Sequence, residues 1–248
     1  MGVGADDHGS PDPTRGHLMS LLGMFARYPQ PGQTKTRLAT GVGDEVAAEI
    51  YAAFVTDLVA RCGGLADELW LALTPDTKSC RAWSASLPLS ASAKWKIVGQ
   101  PEGNLGDRIN WFFQQAVDKG VGPAVLIGTD SPDLPSTRIS VAIRMLSNDE
   151  ADMVIVPSGD GGYALIGLNN APDGLFDRIR WSSPFTLTDT LQAADRCGLT
   201  VELLPMWYDI DTIENLGTLL ALQTVGGERA ECPATMEAAA RVLRMDGD

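Results

Sequence analysis

The feature that most constrains the fold is the alternation of short apolar runs with segments of helical periodicity. Runs of strand length occur at "LMSLLGMF", "ELWLALT", "KWKIVG", "PAVLIG", "DMVIVP", "YALIGL" and "TVELLP". Most of them are separated by segments with apolar residues at helical spacing, including 44–62, 105–119 and 136–148. This order predicts a single α/β domain, a three-layer sandwich around a mainly parallel sheet. Ligands of such sheets bind beyond the carboxyl ends of the strands.

The two ends of the chain are expected to lie outside this domain. Residues 1–16 are rich in Gly, Pro and Asp and are predicted to be a disordered tail. We place the α/β domain at 17–225 and a C-terminal extension with a short helix at 226–248. No apolar run is long enough to cross a bilayer, and no segment resembles a signal peptide with a good cleavage site. We therefore expect a cytoplasmic protein.

Composition excludes several classes of function. The formal net charge is -13, which argues against binding to nucleic acid or to an anionic membrane. The only histidines are His8 and His17, so a catalytic triad or a histidine-rich zinc site is not expected. Metal binding is left to carboxylates, which suit Mg²⁺ or Mn²⁺. The cysteines are far apart and form no CxxC pair, which favours reduced thiols at Cys62, Cys80, Cys197 and Cys232.

A cationic loop follows the first apolar run. No Asp or Glu occurs from Pro13 through Gly43, whereas "ARYPQPGQTKTRL" carries Arg27, Lys35 and Arg37. Such a loop, running into a helix that starts near Asp44, offers cations and backbone N–H groups to phosphates. It lacks the spacing of a Walker A loop. The alternative is a solvated turn whose basic side chains bind nothing.

Two acidic motifs are placed where a metal ion could bind. In "LIGTDSPDLP", Asp130 directly follows a fully apolar strand, and a carboxylate there can hold a divalent ion against a diphosphate. The alternative is an Asx-turn or a helix cap, which we favour for Asp133. In "WYDIDTIENL", Asp209 and Asp211 alternate, so both should point the same way on an extended segment. One acid, or Thr212, could instead cap the following helix.

Three further stretches are candidates for substrate contact. In "PSGDGGYALIGL", the turn Asp160–Gly162 is typical of a hairpin, but its bare backbone would also let a substrate approach Asp160 or Tyr163. In "PEGNLGDRI", Asn104 stands at a helix start with Arg108 one step inside, and capping is the simpler explanation. Trp181, before another helix, is either a core residue or a platform for an acceptor.

The motifs together resemble a known family. "PxPGxxKTRL", "GTDSPDLP", "DGGYxLIGL" and "DIDTxENL" follow one another across 24–220. In this order they closely resemble an uncharacterised bacterial transferase family, known for genes near radical-SAM and selenium-associated proteins and classed with nucleotide-diphospho-sugar transferases of the GT-A fold. The loop with Lys35 is also similar to that of phospholactate guanylyltransferase. The pairing of Asp130 with "DxDT" resembles that of sugar-nucleotide and molybdenum-cofactor nucleotidyltransferases.

The resemblance implies a GT-A-like (Rossmann-like) fold and a set of site residues. It implies that Asp130 is the first metal-binding aspartate and Asp211 the second, that Mg²⁺ or Mn²⁺ is the cofactor, and that nucleotide phosphates lie on the loop. The predicted phosphate-binding set is Arg27, Gly32, Lys35, Arg37 and Asn104, and the predicted acceptor side is Gly161, Gly162, Tyr163 and Trp181. The predicted catalytic residues are Lys35, Asp130 and Asp160. The loop "GGxSxRMG" is absent, and the D-x-D motif is replaced by "TDSPD".

Three hypotheses for function remain open at this point. The first is a glycosyltransferase that moves a sugar from a nucleotide sugar to a small acceptor, with Asp160 as base. The second is a nucleotidyltransferase that joins a nucleoside triphosphate to a phosphorylated substrate and releases pyrophosphate. The third is a nucleotide-binding module without turnover. The family's classification places the sugar hypothesis first.

Overall fold

The described strands and helices follow the predicted alternation. The computed structural model describes residues 19–89, 95–223 and 230–245. The strands are β1 (Leu21–Arg27), β2 (Glu68–Thr74), β3 (Trp95–Gly99), β4 (Ala124–Ile127), β5 (Met153–Pro157), β6 (Tyr163–Leu168) and β7 (Val201–Leu203). The helices are α1 (Thr36–Val42), α2 (Asp44–Arg61), α3 (Lys78–Ser84), α4 (Leu105–Asp118), α5 (Ser136–Ser147), α6 (Thr186–Arg196), α7 (Ile213–Gln223) and α8 (Pro233–Met245). The predicted tail at 1–16 lies outside the described residues.

All seven described strands form one sheet in the order β3-β2-β1-β4-β6-β5-β7. Every pair is parallel except the two made by β6, which runs antiparallel to β4 and β5. The register pairs Arg27 with Thr74 and Met24 with Ile127. The carboxyl ends of β2, β1 and β4 therefore meet at one edge of the sheet. The predicted three-layer α/β fold with a mainly parallel sheet is confirmed.

Two apolar clusters cover the two faces of the sheet. One joins the strands to α2, α5, α7 and α8, and the other joins them to α4 and α6. On the α4 side, β1 presents Gly23, where a Cβ atom would lie 2.2 Å from the ring of Phe112. The ring packs directly on the backbone of β1, which brings α4 close to the strand ends.

The long helices were predicted and the short ones were not. The spans at 44–62, 105–119 and 136–148 are confirmed as α2, α4 and α5. The expectation that the cationic loop runs into the helix near Asp44 is wrong, because α1 intervenes and ends at Gly43, whose φ is 87°. Seven residues are too few to show a helical period. No helix in the described parts of the chain has the length and hydropathy of a membrane span.

The C-terminal helix α8 docks on α2 through one buried acid. The carboxylate of Asp57 accepts hydrogen bonds from the backbone N–H groups of Ala234 and Thr235, at 2.9 and 2.8 Å, and from the Thr235 hydroxyl at 2.6 Å. These bonds satisfy donors of the first turn of α8. The boundary at residue 225 stays a prediction, since 224–229 lie outside the described residues.

Candidate active site

A cavity of about 460 Å³ opens at the carboxyl edge of the sheet, between the ends of β1, β2 and β4 and the first turn of α4. This is where an open α/β sheet is expected to bind its ligand. Four cationic side chains and two anionic ones line it: Arg27, Lys35, Arg37, Arg108, Asp130 and Asp211. The lining is thus net positive, in a chain whose formal charge is -13.

Lys35 joins the two predicted metal-binding aspartates. Its Nζ lies 2.5 Å from Oδ1 of Asp130 and 2.8 Å from Oδ1 of Asp211, and its side chain is only 5% exposed. Burial opposes the charge of Lys35, but the two carboxylates outweigh it and raise the Lys35 pKa above its ordinary value. The backbone of Lys35 is left-handed, with φ 51°. The loop after β1 therefore delivers one buried cation between two carboxylates.

The other residues of the cationic loop have different positions. Arg37 is mostly exposed, and its Nη1 lies 3.5 Å from Oδ2 of Asp211. Arg27 lines the cavity from the end of β1. Gly32 takes a positive φ of 72°, and a Cβ atom there would lie 3.4 Å from the carboxylate of Asp44. Gly32 shapes the turn and is not part of the cavity wall, whereas the three cations are.

Asp133 connects the 130–133 loop to the 207–211 segment. The cap expected for Asp133 is wrong, because Pro135 occupies the N-cap position of α5. Its fully buried carboxylate accepts hydrogen bonds from Nε1 of Trp207, at 3.1 Å, and from the hydroxyl of Tyr208. The guanidinium of Arg138 lies 4.7 Å from the centre of the Trp207 ring. The second acid of "TDSPD" thus positions the motif that carries Asp211.

Three more hydrogen bonds fix these segments to each other. The Ser131 hydroxyl donates to the carbonyl oxygen of Tyr208, at 2.9 Å, and to Oδ1 of Asp209, at 2.8 Å. The backbone N–H of Ile210 donates to the carbonyl oxygen of Asp130 at 2.8 Å. Because bonds flank both acids, Asp130 and Asp211 are held near each other by the backbone as well as by Lys35.

Asp209 and Asp211 both lie in the field of Lys35 but differ in environment. Burial, followed by the charge of Asp130, raises the pKa of Asp209 to about 6. The helix cap is made by Thr212, whose hydroxyl accepts from the N–H of Asn215 at 3.3 Å, while Oδ1 of Asn215 accepts from the N–H of Thr212 at 3.1 Å. The carboxylate of Asp211 is not needed for the cap and faces Lys35 instead.

Asp130 and Asp211 fit a divalent cation that takes most of its ligands from substrate and water. Within the described residues, no group of three His, Cys, Asp or Glu side chains could hold a metal ion. Mg²⁺ typically uses one or two carboxylates together with phosphate oxygens and waters. Both carboxylates here converge on one cationic atom, and half of the Asp130 side chain is exposed. The donor set suits a hard cation brought with a polyphosphate.

The turn between β5 and β6 is the predicted hairpin. Oδ1 of Asp160 accepts hydrogen bonds from the Ser158 hydroxyl and from the N–H of Gly162. A Cβ atom at Gly161 would lie 2.3 Å from the carbonyl oxygen of Pro184, so only glycine fits. Tyr163 lines the cavity, and burial raises the pKa of Tyr163. Asp160 and the two glycines shape the turn beside the cavity, and Tyr163 enters its wall.

Asn104 and Trp181 lie outside the cavity wall. Oδ1 of Asn104 accepts from the N–H of Asp107 at 3.1 Å, and Oδ2 of Asp107 accepts from the N–H of Asn104 at 2.9 Å. This is a capping box for α4. Trp181 packs against Gly106, where a Cβ atom would lie 2.3 Å from its Nε1, and against the ring of Phe176. The structure does not bring either residue to Lys35 and Asp130.

Among the cavity residues that the sequence analysis missed are Thr74, Gln100 and Arg108. Thr74 ends β2 and Gln100 follows β3, so the rule that ligands bind at strand ends could have indicated both. Arg108 was noted only beside a helix cap, yet its Nη1 lies 3.5 Å from the hydroxyl of Thr74. No local pattern shows that the first turn of α4 faces the cavity.

The fold is the Rossmann-like fold of nucleotide-diphospho-sugar transferases. Residues 57–183 match the model of a family described as uncharacterized protein conserved in bacteria (DUF2064). The chain belongs to this family, and the bacterial family expected from its motifs is confirmed. No curated protein sequence matched the chain.

Solved structures share the fold of this chain. A protein from Desulfovibrio desulfuricans G20, with the provisional name nucleotide-diphospho-sugar transferase, is 30% identical at a TM-score of 0.81, over 91% of this chain and 97% of that one. A cytidylyltransferase from Leptospira borgpetersenii is 12% identical at a TM-score of 0.56, over 91% and 95%. The 4-diphosphocytidyl-2C-methyl-D-erythritol synthase of Anaerococcus prevotii is 11% identical at 0.53, over 83% and 96%. The last two share the fold alone.

Proposed function

We propose that this protein is a divalent-metal-dependent transferase that uses a nucleotide-activated donor, and that it moves a sugar from a nucleotide sugar to a small acceptor. The observation that carries the proposal is the convergence of Lys35, Asp130 and Asp211 in one net-positive cavity at the strand ends. The provisional name of the 30% identical relative supports the sugar donor.

The aspartates and cations of the cavity would hold the diphosphate of the donor. Asp130 and Asp211 would hold Mg²⁺ or Mn²⁺, and a bound ion would offset the charge on the departing nucleoside diphosphate. Lys35 and Arg37, next to both acids, would contact the phosphate oxygens. The raised pKa keeps Lys35 charged although it is buried, so Lys35 can contact a phosphate oxygen without first gaining a proton.

The acceptor is placed beside the turn that carries Asp160. Its hydroxyl oxygen forms a bond to the anomeric carbon, the bond from that carbon to the diphosphate breaks, and the hydroxyl proton passes to a base. Both turn hydrogen bonds of Asp160 use Oδ1, which leaves Oδ2 for this proton. Tyr163, next to the turn, lines the cavity and would contact the acceptor.

Nucleotidyl transfer is the second candidate. Four cationic side chains in one cavity suit a triphosphate well. In this reaction a phosphorylated substrate attacks the α-phosphate of a nucleoside triphosphate, and pyrophosphate leaves.

One experiment separates the candidates. The protein is incubated with Mg²⁺ or Mn²⁺ and a panel of nucleotide sugars and nucleoside triphosphates, and release of nucleoside diphosphate or pyrophosphate is measured. We expect nucleoside diphosphate from a nucleotide sugar, lost in Asp130→Asn and kept in Asp195→Asn, an exposed control on α6. Pyrophosphate would establish the second candidate instead. Nucleotide binding without either product, unchanged in Asp130→Asn, would contradict a transferase.

A further inference from the structure

The cavity has two ends of different charge. The aspartate end consists of Lys35, Arg37, Asp130 and Asp211. The arginine end consists of Arg27, Thr74 and Arg108, which also line the cavity. The register of β1 and β2 places Arg27 beside Thr74, and Arg108 reaches the hydroxyl of Thr74 from α4.

The arginine end holds positive charge without a carboxylate to balance it. Within the described residues, neither Arg27 nor Arg108 forms an ion pair, whereas Lys35 and Arg37 contact Asp130 or Asp211. Nε of Arg108 is buried and has no hydrogen-bond partner among the described residues. A buried N–H group without a partner destabilises a protein unless a ligand or water accepts its hydrogen bond.

Arg108 is held in place by the start of its helix. The reciprocal hydrogen bonds of Asn104 and Asp107 fix the first turn of α4. Gly106, in the same turn, packs against the side chain of Trp181. Asn104 and Trp181, which were expected to contact the ligand, thus fix the helical turn that carries Arg108. A guanidinium on a fixed backbone can offer two parallel N–H groups to an oxyanion.

We propose that Arg108, together with Arg27 and the hydroxyl of Thr74, forms a second anion-binding subsite that takes a phosphate group. This proposal takes one point from the proposed function, namely that the cavity binds a phosphorylated substrate. A phosphate there would accept from the guanidinium groups and from Thr74. It belongs either to the nucleotide donor or to a phosphorylated second substrate.

Calorimetric titrations of four proteins test the subsite: wild type, Arg108→Met, Arg108→Lys and Arg144→Met. Arg144 is an exposed ion-pair residue of α5 and serves as the matched control. The probes are ATP, CTP, GTP and UTP, the matching monophosphates and nucleosides, and inorganic phosphate added to protein saturated with the preferred triphosphate. Circular dichroism melting confirms that each variant folds.

Arg108→Met is expected to weaken binding of a phosphorylated probe by about 10- to 100-fold, since a charge-assisted hydrogen bond contributes about 1.5 to 3 kcal/mol. Arg108→Lys should restore part of this loss, and Arg144→Met should change nothing. A loss for nucleotides but not for nucleosides assigns the phosphate to the donor. A loss only for inorganic phosphate on the saturated protein assigns it to a second substrate.

Two results would contradict the subsite. The first is that Arg108→Met binds all probes as tightly as the wild type. The second is an equal loss of affinity for nucleosides and nucleotides, which would mean that the guanidinium contacts the base or ribose. These outcomes are independent of turnover. If the protein releases product but Arg108→Met binds the probes normally, the subsite is refuted and the transferase activity stands. If Arg108→Met weakens binding but the protein releases no product, the transferase activity is refuted and the subsite stands.

Discussion

The aspartate end and the arginine end of the cavity are built in different ways. The aspartate end joins three distant parts of the chain. Their spacing is fixed by hydrogen bonds that Ser131 donates to the 207–211 segment and that Asp133 accepts from it. The arginine end uses two neighbouring strand ends and the capped first turn of α4. One end balances its charges internally and the other does not. A polyphosphate that brings a cation to the first end and bare oxygens to the second would match both.

The largest effect is expected at Asp130. Asp130→Asn removes a ligand of the proposed metal and should lower turnover by at least about 100-fold, because charge stabilisation by a bound cation contributes several kcal/mol. Product release measured under saturating donor checks this. Turnover within about threefold of wild type would show that the aspartate end does not support the reaction.

The next largest effect tests the bonds that fix the aspartate end. Asp133→Ala removes the carboxylate that accepts hydrogen bonds from Trp207 Nε1 and the Tyr208 hydroxyl, and should lower the free energy of unfolding by about 2 to 4 kcal/mol. Urea denaturation measures this, with the exposed Asp195→Ala as control. A change below about 1 kcal/mol would mean that the 207–211 segment is held by other contacts.

A smaller effect concerns competition between Lys35 and the metal. Because its ammonium contacts both carboxylates, it should oppose a divalent ion in the absence of nucleotide. Lys35→Met is expected to raise the affinity for Mn²⁺ about tenfold, in line with the Coulomb energy of a nearby partly buried charge. Electron paramagnetic resonance of free Mn²⁺ measures it, with the exposed Lys78→Met as control. Equal affinity in the variant and the wild type would refute the competition.

The smallest effect is a pH dependence of stability from Asp209. Its pKa of about 6 in the folded state lies above its ordinary value of 3.8, so the folded state binds the proton more tightly than the unfolded state. The protonated carboxyl of Asp209 therefore stabilises the folded state below about pH 4, and this stabilisation is lost as the pH rises through 6. Asp209→Asn should flatten the fall and raise the free energy of unfolding at pH 7.5 by about 1 kcal/mol. Urea denaturation of the metal-free protein from pH 4 to 7.5 checks this, and parallel curves for variant and wild type would contradict it.

The sequence predicted the fold and the strand ends because buried strands and long helices leave periodic apolar patterns. Asp130 could be placed at a strand end for that reason, whereas Asp211 was paired with it through the resemblance of the motifs to a known family. The roles of both as metal ligands stay predictions. The hydrogen bonds that Asp133 accepts could not be predicted, because the donors Trp207 and Tyr208 are far away in the chain. Arg108 was missed because the direction in which α4 presents its first turn depends on how Phe112 packs on β1.

The most direct test of the account is anomalous diffraction from a crystal grown with Mn²⁺ and a non-hydrolysable nucleoside triphosphate or a nucleotide sugar. We expect the manganese peak between the carboxylates of Asp130 and Asp211, with Lys35 moved from between them onto a phosphate oxygen. A nucleotide bound away from this cavity, or manganese elsewhere while Lys35 still joins the two acids, would contradict it.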